Sequence, residues 1–287
     1  MSAEFRQRSV QCASASGLHQ IAYTEWGDPR NPKLLVCVHG LARCGRDFDN
    51  LAQAMADEYR VICPDVVGRG LSDWLKDPME YQPATYVADM VTLLARADAA
   101  TVHWVGTSMG GLIGMTLASL QGNPVEKLVL NDVGPVITAV SLARIGQYFG
   151  MAPQFPDFAA AVKYIRFVSA TFGAHSDAEW ARLTEHVMRR QADGSYRLHY
   201  DPAIAVPFKA AKIDQDVELW PVYDAISCPT LVLRGAQSDL LTRETARHMT
   251  ERGPKAKLVE LADVGHAPTL MHADQIAIVR GFLLSAA

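Results

Sequence analysis

The amino-acid sequence predicts an α/β fold, a mostly parallel central sheet of about eight strands flanked by helices. Short apolar runs alternate with amphipathic stretches along much of the chain, which is the pattern of successive strand and helix units. The runs are almost continuously apolar, as expected of strands that helices cover on both faces. The alternation stops near Gly134 and resumes near Pro229, so we expect an inserted unit between these two positions.

The predicted elements follow from these patterns in chain order. FRQRSVQCA and HQIAYTEWG are separated by a turn signal, and we expect them to form an antiparallel entry hairpin. The remaining predicted strands are KLLVCVHG, YRVICPD, TVHWVGT, KLVLNDV, PTLVLRG and AKLVELAD. Apolar residues recur at intervals of three and four in the predicted helices FDNLAQAMAD, TYVADMVTLLARAD, MGGLIGMTLASLQG and RETARHMTERG.

The interruption predicts two units. We expect residues 1–133 and 229–287 to form the core domain, and residues 134–228 to form a helical cap inserted after strand 6. Within the insert, SLARIGQYFG, FPDFAAAVKYIRFVSATFG and SDAEWARLTEHVMRRQ have helical spacing. The stretch DGSYRLHYDPAIAVPF has the composition of a loop.

Composition excludes several classes of function. The 287 residues carry a net charge of -4, so we expect no nucleic-acid partner, which would require a cationic face. No stretch approaches the roughly 18 apolar residues of a membrane span, and we expect a cytoplasmic protein without a membrane partner. The five cysteines show no CxxC spacing, and no histidine pair has metal-ligand spacing with a carboxylate. We therefore predict no metal and no cofactor.

One motif joins a predicted strand to a predicted helix. Gly106-Thr107-Ser108-Met109-Gly110 fits G-x-S-x-G, and a strand before it and a helix after it are the context that this motif requires. The chain must reverse sharply at Ser108, which exposes the serine hydroxyl above the sheet, and the glycines leave room for the turn.

Further polar residues follow other predicted strands. His39-Gly40 follows KLLVCV, Asp239 follows TLVLRG, and His266 follows KLVELAD. A serine hydroxyl needs an adjacent base to attack at pH 7, and a histidine whose tautomer is held by a carboxylate is suited to that task. The order Ser108, Asp239, His266 predicts a catalytic triad. Asp132, directly after KLVLN, is the competing carboxylate, which we expect instead to help anchor the hinge of the cap.

The chain resembles the α/β-hydrolase family, specifically its cap-bearing esterase-like members, over nearly its whole length. The resemblance rests on five motifs in one order: VCVHGLARCG, CPDVVGRGLSD, WVGTSMGGLIGM, LVLRGAQSDLL and VGHAPTL. It implies an oxyanion hole formed by the backbone N–H groups of Leu41 and Met109. We expect His39 to be a hydrogen bonder that positions the oxyanion loop and Asp65 to be structural.

These residues lead us to expect a serine hydrolase that cleaves carboxylic esters of small to medium size through an acyl-enzyme. The alternatives are a carbon–carbon bond hydrolase of ring-cleavage products, a lactonase or perhydrolase, and a small-ligand receptor on the same fold. The expected partner is a small-molecule ester, and a homodimer is possible. The residues that bind the substrate are not apparent from the sequence; the candidates are Trp74, Tyr148, Phe149 and Trp220.

Overall fold

The computed structural model describes residues 5–211 and 214–286. In these residues the strands are, in chain order, β1 (Arg6–Ser14), β2 (Gly17–Trp26), β3 (Lys33–Val38), β4 (Arg60–Pro64), β5 (Thr101–Thr107), β6 (Val125–Asn131), β7 (Val136–Ile137), β8 (Gln154–Phe155), β9 (Met188–Arg190), β10 (Tyr196–Leu198), β11 (Val217–Glu218), β12 (Thr230–Gly235) and β13 (Lys257–Leu261). The helices are α1 (Asp49–Met55), α2 (Pro83–Ala97), α3 (Met109–Ser119), α4 (Ala139–Tyr148), α5 (Phe158–Val168), α6 (Asp177–Glu185), α7 (Ala205–Ala210), α8 (Trp220–Asp224), α9 (Arg243–Met249) and α10 (Ala273–Leu284).

Eight strands form the central sheet in the order β1-β2-β4-β3-β5-β6-β12-β13. Strands β1 and β2 make the antiparallel entry hairpin, and β2 also pairs antiparallel with β4. Every other neighbouring pair in this sheet is parallel. The central strands β3 and β12 are buried along nearly their whole length, as expected of strands with helices on both faces. The predicted fold class and entry hairpin are confirmed.

Between β6 and β12 the chain leaves the sheet. We call residues 134–228 the inserted segment; among its described residues are helices α4 to α8 and two small sheets, β8-β10-β9 and β11-β7. The prediction that SDAEWARLTEHVMRRQ is one helix is wrong at its C-terminal end, because α6 ends at Glu185 and Met188–Arg190 is a strand. A turn containing Gly194, whose φ is +86°, lets β9 pair with β10. The predicted loop likewise contains β10 and α7.

The parallel strands place their carboxyl ends along one edge of the sheet, where ligand sites of α/β folds occur. The residues after β3, β5, β6, β12 and β13 all lie at this edge. These include each residue that the sequence proposed for the triad. No helix in the described part of the chain is both long and apolar enough to span a membrane.

Candidate active site

Ser108 stands at a strained turn between β5 and α3. Its φ of +52° is unusual for a residue with a side chain, and the hydrogen bond from its N–H to Asn131 O, 3.0 Å, ties the turn to β6. A Cβ at Gly106 would lie 2.2 Å from Gly110 O, and one at Gly110 would lie 2.0 Å from Val38 O. The two glycines of the motif are therefore required by close backbone contacts that no larger residue could make.

Ser108, His266 and Asp132 form one hydrogen-bonded chain. His266 Nε2 lies 3.0 Å from Ser108 Oγ, and His266 Nδ1 lies 2.8 Å from Asp132 Oδ2. The Asp132 side chain is fully buried, whereas 21% of the His266 side chain is exposed. The Nδ1 proton is held by the carboxylate, so Nε2 is free to accept the serine proton.

The order of the strands explains why these three residues meet. Strand β5, which leads to Ser108, is the neighbour of β6, which ends directly before Asp132. The φ of Asp132 is +55°, and its backbone N–H donates to Leu233 O at 2.8 Å. The backbone of Asp132 is therefore fixed against β12, and this fixes the direction in which its carboxylate points. His266 reaches the carboxylate from the loop after β13.

The expectation that Asp239 is the partner of His266 is wrong. Asp239 follows β12, but its carboxylate pairs with Arg144 of α4 at 2.9 Å, and half of its side chain is exposed. Its backbone carbonyl accepts a hydrogen bond from Ser141 Oγ at 2.9 Å. The turn after β12 directs the preceding residue, Ser238, inward and Asp239 outward toward the inserted segment. Asp132 thus lies where Asp239 was expected, beside His266, and Asp239 contacts the inserted segment.

Two polar residues that the sequence analysis did not single out support Asp132 and its surroundings. Ser238 Oγ donates to Asp132 Oδ2 at 2.6 Å and accepts hydrogen bonds from the N–H groups of two following residues. Gly235 N–H donates to Asp132 Oδ1 at 2.8 Å, so both carboxylate oxygens are bonded. The signal for Ser238 was its place beside Asp239 in the loop after β12.

Asn131 Nδ2 donates to Thr107 Oγ1 and to Pro268 O, which links the serine turn to the histidine loop.

The inserted segment holds the loop that carries His266. Thr171 Oγ1 donates to His266 O at 2.7 Å, and Thr171 O accepts from Gly265 N–H at 2.6 Å. His175 Nε2 lies 3.0 Å from Thr269 Oγ1 on the same loop. The position of the histidine therefore depends on residues far away in the sequence.

His39 joins the loop after β3 to the loop after β4. Its Nδ1 lies 2.7 Å from Gly40 O, and its Nε2 accepts from Val66 N–H at 2.9 Å. Complete burial lowers the pKa of His39 to about 3, so the ring stays neutral at physiological pH and can donate from one nitrogen while it accepts at the other. The expectation that His39 positions this loop is confirmed.

Asp65 also has the structural surroundings that were expected. Its carboxylate accepts from the N–H groups of Gly45 and Leu71 at 2.7 and 2.8 Å. Burial raises the pKa of this carboxyl to about 6, although the two backbone hydrogen bonds act in the opposite direction. Asp65 therefore ties the loop after β4 to the loop after β3.

The two residues expected to form the oxyanion hole, Leu41 and Met109, lie in the loop after β3 and at the start of α3. Met109 is the first residue of α3, so its N–H has no acceptor within the helix. Leu41 follows Gly40, at which a Cβ would lie 3.6 Å from Ser108 Cβ. Among the described residues, neither N–H has a hydrogen-bond acceptor. Both donors are therefore available to a ligand.

Two cavities lie near this edge of the sheet. A cavity of about 40 Å³ is bordered by Thr107 and Ala267, the chain neighbours of Ser108 and His266, and by Phe172 of the inserted segment. A larger cavity of about 220 Å³ is lined by residues that follow β3 and β4, such as Cys44 and Leu71, and by His186 and His199 of the inserted segment. Neither Ser108 nor His266 lines this larger cavity.

The four proposed substrate-binding residues have different surroundings. Phe149 is buried and packs edge-to-face on Phe208, with ring centroids 5.7 Å apart. The Trp220 ring lies 4.5 Å from the guanidinium carbon of Arg252, and Trp74 is half exposed. The hydroxyl pKa of Tyr148 is raised mainly by burial, and the nearby charges of Arg144 and Asp239 also act on it. A role for these four residues in substrate binding stays a prediction.

One group of metal-ligating side chains occurs among the described residues, and it lies away from the triad. Cys12, His19 and Asp89 are buried together, with potential ligand atoms within 4.8 Å of one another. His19 Nε2 already bonds both carboxylate oxygens of Asp89, at 2.9 and 3.0 Å. The cluster is therefore a histidine–carboxylate pair beside a thiol, and the absence of a catalytic metal stays a prediction.

Comparison with known proteins supports this description. Residues 33–273 match the family model described as the alpha/beta hydrolase fold. The chain is 50% identical, over the full length of both proteins, to a 3-hydroxybutyrate-oligomer hydrolase from Cupriavidus necator. It is 26% identical to an esterase from Mycobacterium tuberculosis, covering 92% of this chain and 86% of that protein.

A solved structure agrees with these sequence matches. The crystal structure of an alpha/beta hydrolase from Novosphingobium aromaticivorans superposes with a TM-score of 0.87 at 37% identity and covers 98% of both chains. The family model alone spans most of the chain, and the similar proteins include enzymes that cleave ester bonds. The protein is thus a member of the α/β-hydrolase family and a carboxylic ester hydrolase.

Proposed function

We propose that the protein hydrolyses short oligoesters of 3-hydroxybutyrate, with Ser108 as nucleophile, His266 as general base and Asp132 as the carboxylate that orients the histidine. The observation that carries the proposal is the hydrogen-bonded chain, 3.0 Å from Ser108 to His266 and 2.8 Å from His266 to Asp132. Both distances are within the range required for proton transfer and for fixing the tautomer.

The reaction proceeds in two halves. Ser108 Oγ attacks the ester carbonyl while its proton passes to His266 Nε2, and the tetrahedral intermediate collapses as the same proton passes to the departing alkoxide. A water molecule then attacks the acyl-enzyme as its proton passes to His266, and the second tetrahedral intermediate collapses as His266 returns that proton to Ser108 Oγ, which releases the carboxylic acid and restores the free serine. Asp132 stabilises the imidazolium that forms in each half.

The negative charge on the tetrahedral oxygen requires donors that are already in place. The N–H groups of Leu41 and Met109 fill this role in the proposal, because neither has an acceptor among the described residues. Met109 follows Ser108 in the chain, and Leu41 follows Gly40, which approaches Ser108 closely. Removing one such donor from an enzyme typically costs about 2.7 to 4 kcal/mol in the barrier. The N-terminus of α3 adds a favourable dipole at the same place.

The substrate class rests on similarity over the whole chain. The relative from Cupriavidus necator is named for the hydrolysis of 3-hydroxybutyrate oligomers and shares half of its residues with this protein. Such oligomers are linear esters of a four-carbon acid, so each cleavage transfers a short acyl group to the serine. This agrees with the size of substrate expected from the sequence.

The test measures the release of 3-hydroxybutyrate from its linear dimer and trimer by wild type and by Ser108→Ala. We expect turnover by wild type, loss of at least about 1,000-fold in Ser108→Ala, and covalent labelling of wild type alone by a fluorophosphonate. Ser119→Ala, a serine at the other end of α3, is the matched control and should retain activity. Activity of Ser108→Ala near that of wild type would reject the nucleophile. Hydrolysis of p-nitrophenyl butyrate without any cleavage of the dimer would reject the substrate class.

A further inference from the structure

Arg69 carries a buried charge next to the site. It lies between Gly68 and Gly70 in the loop after β4, and its side chain is completely buried. Among the described residues, no carboxylate lies within 4.0 Å of its guanidinium group. An ion buried without a counter-ion typically costs several kcal/mol of stability, so its presence needs a physical explanation.

Neutral groups surround the guanidinium instead. Nη1 donates to Val67 O at 2.8 Å and to the Tyr86 hydroxyl at 3.0 Å, and the guanidinium carbon lies 5.0 Å from the Tyr86 ring centroid. Nε donates to Leu41 O at 3.0 Å, and Nη2 lies 3.7 Å from Met109 Sδ. These contacts solvate the ion and fix its position, and none of them is with a carboxylate.

The loop holds Arg69 rigidly. Gly68 and Gly70 have φ values of +83° and +52°, which favour glycine. A Cβ at Gly70 would lie 2.2 Å from Asp65 Oδ2, so the loop closes directly onto the Asp65 carboxylate. Asp65 in turn binds the N–H of Gly45 at the end of the loop that carries Leu41. The position of the guanidinium is thereby coupled to that of the oxyanion loop.

Leu41 and Met109 are also the two residues whose N–H groups the proposed function assigns to the oxyanion. We propose that Arg69 is a positioning residue for ester hydrolysis: it fixes Leu41 and Met109, and its positive charge stabilises the oxyanion through them. This inference rests on the proposed function. The ester carbonyl of the bound substrate is neutral and the tetrahedral oxygen is anionic, so the charge acts on the transition state more than on substrate binding.

The experiment compares Arg69→Met and Arg69→Gln, which remove the charge, with Arg69→Lys, which keeps it. Folding is checked by circular dichroism and Tm. We expect kcat on p-nitrophenyl butyrate to fall at least about tenfold in the neutral variants, with KM changed by less than about threefold. Arg69→Lys should recover part of the lost kcat. A KM effect as large as the kcat effect, or no advantage of Lys over the neutral variants, would overturn the proposal.

A pair of inhibitors separates charge stabilisation from simple structural support. A trifluoromethyl ketone with a butyl chain adds to the serine as an anionic hemiketal, whereas the matching methyl ketone binds as a neutral molecule. We expect folded neutral variants to lose affinity for the fluoroketone by about the factor lost in kcat and to keep their affinity for the methyl ketone. Equal weakening of both inhibitors would show that Arg69 is only structural.

If neither neutral variant folds, the same pair is measured on Arg69→Lys, whose ammonium group cannot reach Leu41 O, Val67 O and the Tyr86 hydroxyl together. The proposal then requires a larger loss of affinity for the fluoroketone than for the methyl ketone, and equal losses overturn it.

Ser108→Ala distinguishes the failure of this proposal from the failure of the proposed function. If Ser108→Ala is inactive and Arg69→Met retains wild-type kcat, the proposed function stands and the role of Arg69 falls.

Discussion

At the residue scale, the carboxylate that holds His266 depends on its own hydrogen bonds. Ser238 Oγ bonds the same Asp132 oxygen that bonds His266, at 2.6 Å, so it limits rotation of the carboxylate. A hydrogen bond to a charged group contributes about 1.5 to 3 kcal/mol. A residue that touches no substrate can therefore influence the geometry of the histidine.

For Ser238→Ala we expect kcat to fall roughly tenfold, because Asp132 loses the bond that fixes its orientation. The matched control is Ser141→Ala, which removes the hydrogen bond to the Asp239 carbonyl. Steady-state kinetics on p-nitrophenyl butyrate and Tm are measured for both. An equal loss of kcat in the two variants would indicate a general effect of loosening the loop after β12 and contradict the role given to Ser238.

Because His39 is buried in its neutral form, we expect the stability of the protein to depend on pH. Burial lowers its pKa to about 3 in the folded protein from the ordinary 6.5. Below pH 6.5 the unfolded chain binds a proton that the folded protein does not, so the stability contributed by neutral His39 decreases as the pH falls toward 3. Between pH 7.5 and 5 this group alone should lower the free energy of unfolding by about 2 kcal/mol.

The measurement is urea unfolding of wild type and His39→Gln at pH 7.5, 6 and 5. The variant is expected to be less stable at pH 7.5, because it loses fitted hydrogen bonds, but to lose less stability on acidification. The difference between the two proteins isolates His39 from other titrating groups, including Asp65, whose raised pKa has the opposite sign of effect. Parallel pH profiles would show that the pKa of His39 is the same in the folded and the unfolded chain, and would contradict the prediction.

At the element scale, the inserted segment contributes to the site through the loop that carries His266. The hydroxyl of Thr171 bonds the His266 carbonyl and holds the ring at the distance seen from Ser108. We expect Thr171→Val to lower kcat severalfold and Thr171→Ser to retain most of it, since serine keeps the donor. Thr92→Val, which removes a hydroxyl bond on α2, is the control. Equal activity of the Val and Ser variants would contradict the role of the hydroxyl.

The strands of the sheet could be predicted from the sequence better than the carboxylate of the site. The apolar runs located the central strands, because burial on both faces leaves a strong pattern, and a turn signal located the hairpin β1–β2, whose first strand is mostly exposed. The sequence could not decide between Asp132 and Asp239, because both follow apolar strands that are neighbours in the sheet. The choice depends on a positive φ at Asp132 and on the turn that directs Asp239 toward Arg144. Short strands such as β9 were missed, because three residues carry too little periodicity.

At the scale of the whole molecule, hydrogen bonds tie the inserted segment to the core on several sides of the site. Arg43 in the loop after β3 donates to Leu183 O at 2.9 Å, Thr171 bonds His266 O, and Arg144 pairs with Asp239. We propose that a segment tied at these points is the cap expected from the sequence and that it restricts the space above Ser108, which would favour short acyl groups.

A restricted space above Ser108 would make the rate of hydrolysis depend on the length of the acyl chain. In a series of p-nitrophenyl esters, kcat/KM should be highest for short to medium acyl chains and fall for palmitate, with no increase in rate above the micellar concentration. Steady-state rates on both sides of that concentration check this. Highest activity on palmitate, or activation at the interface, would show that the inserted segment opens as a lipase lid.

The central claim is that Ser108, His266 and Asp132 act as one unit across three strand ends. The most direct measurement is kcat of Asp132→Asn and Asp239→Asn on p-nitrophenyl butyrate, with both proteins folded by circular dichroism. Asparagine at 132 removes the charge and disfavours the required histidine tautomer, so we expect a loss of about 1,000-fold or more. Asp239→Asn removes only the half-exposed pair with Arg144 and should stay within about threefold of wild type. A large loss in Asp239→Asn with near-normal activity of Asp132→Asn would contradict the account.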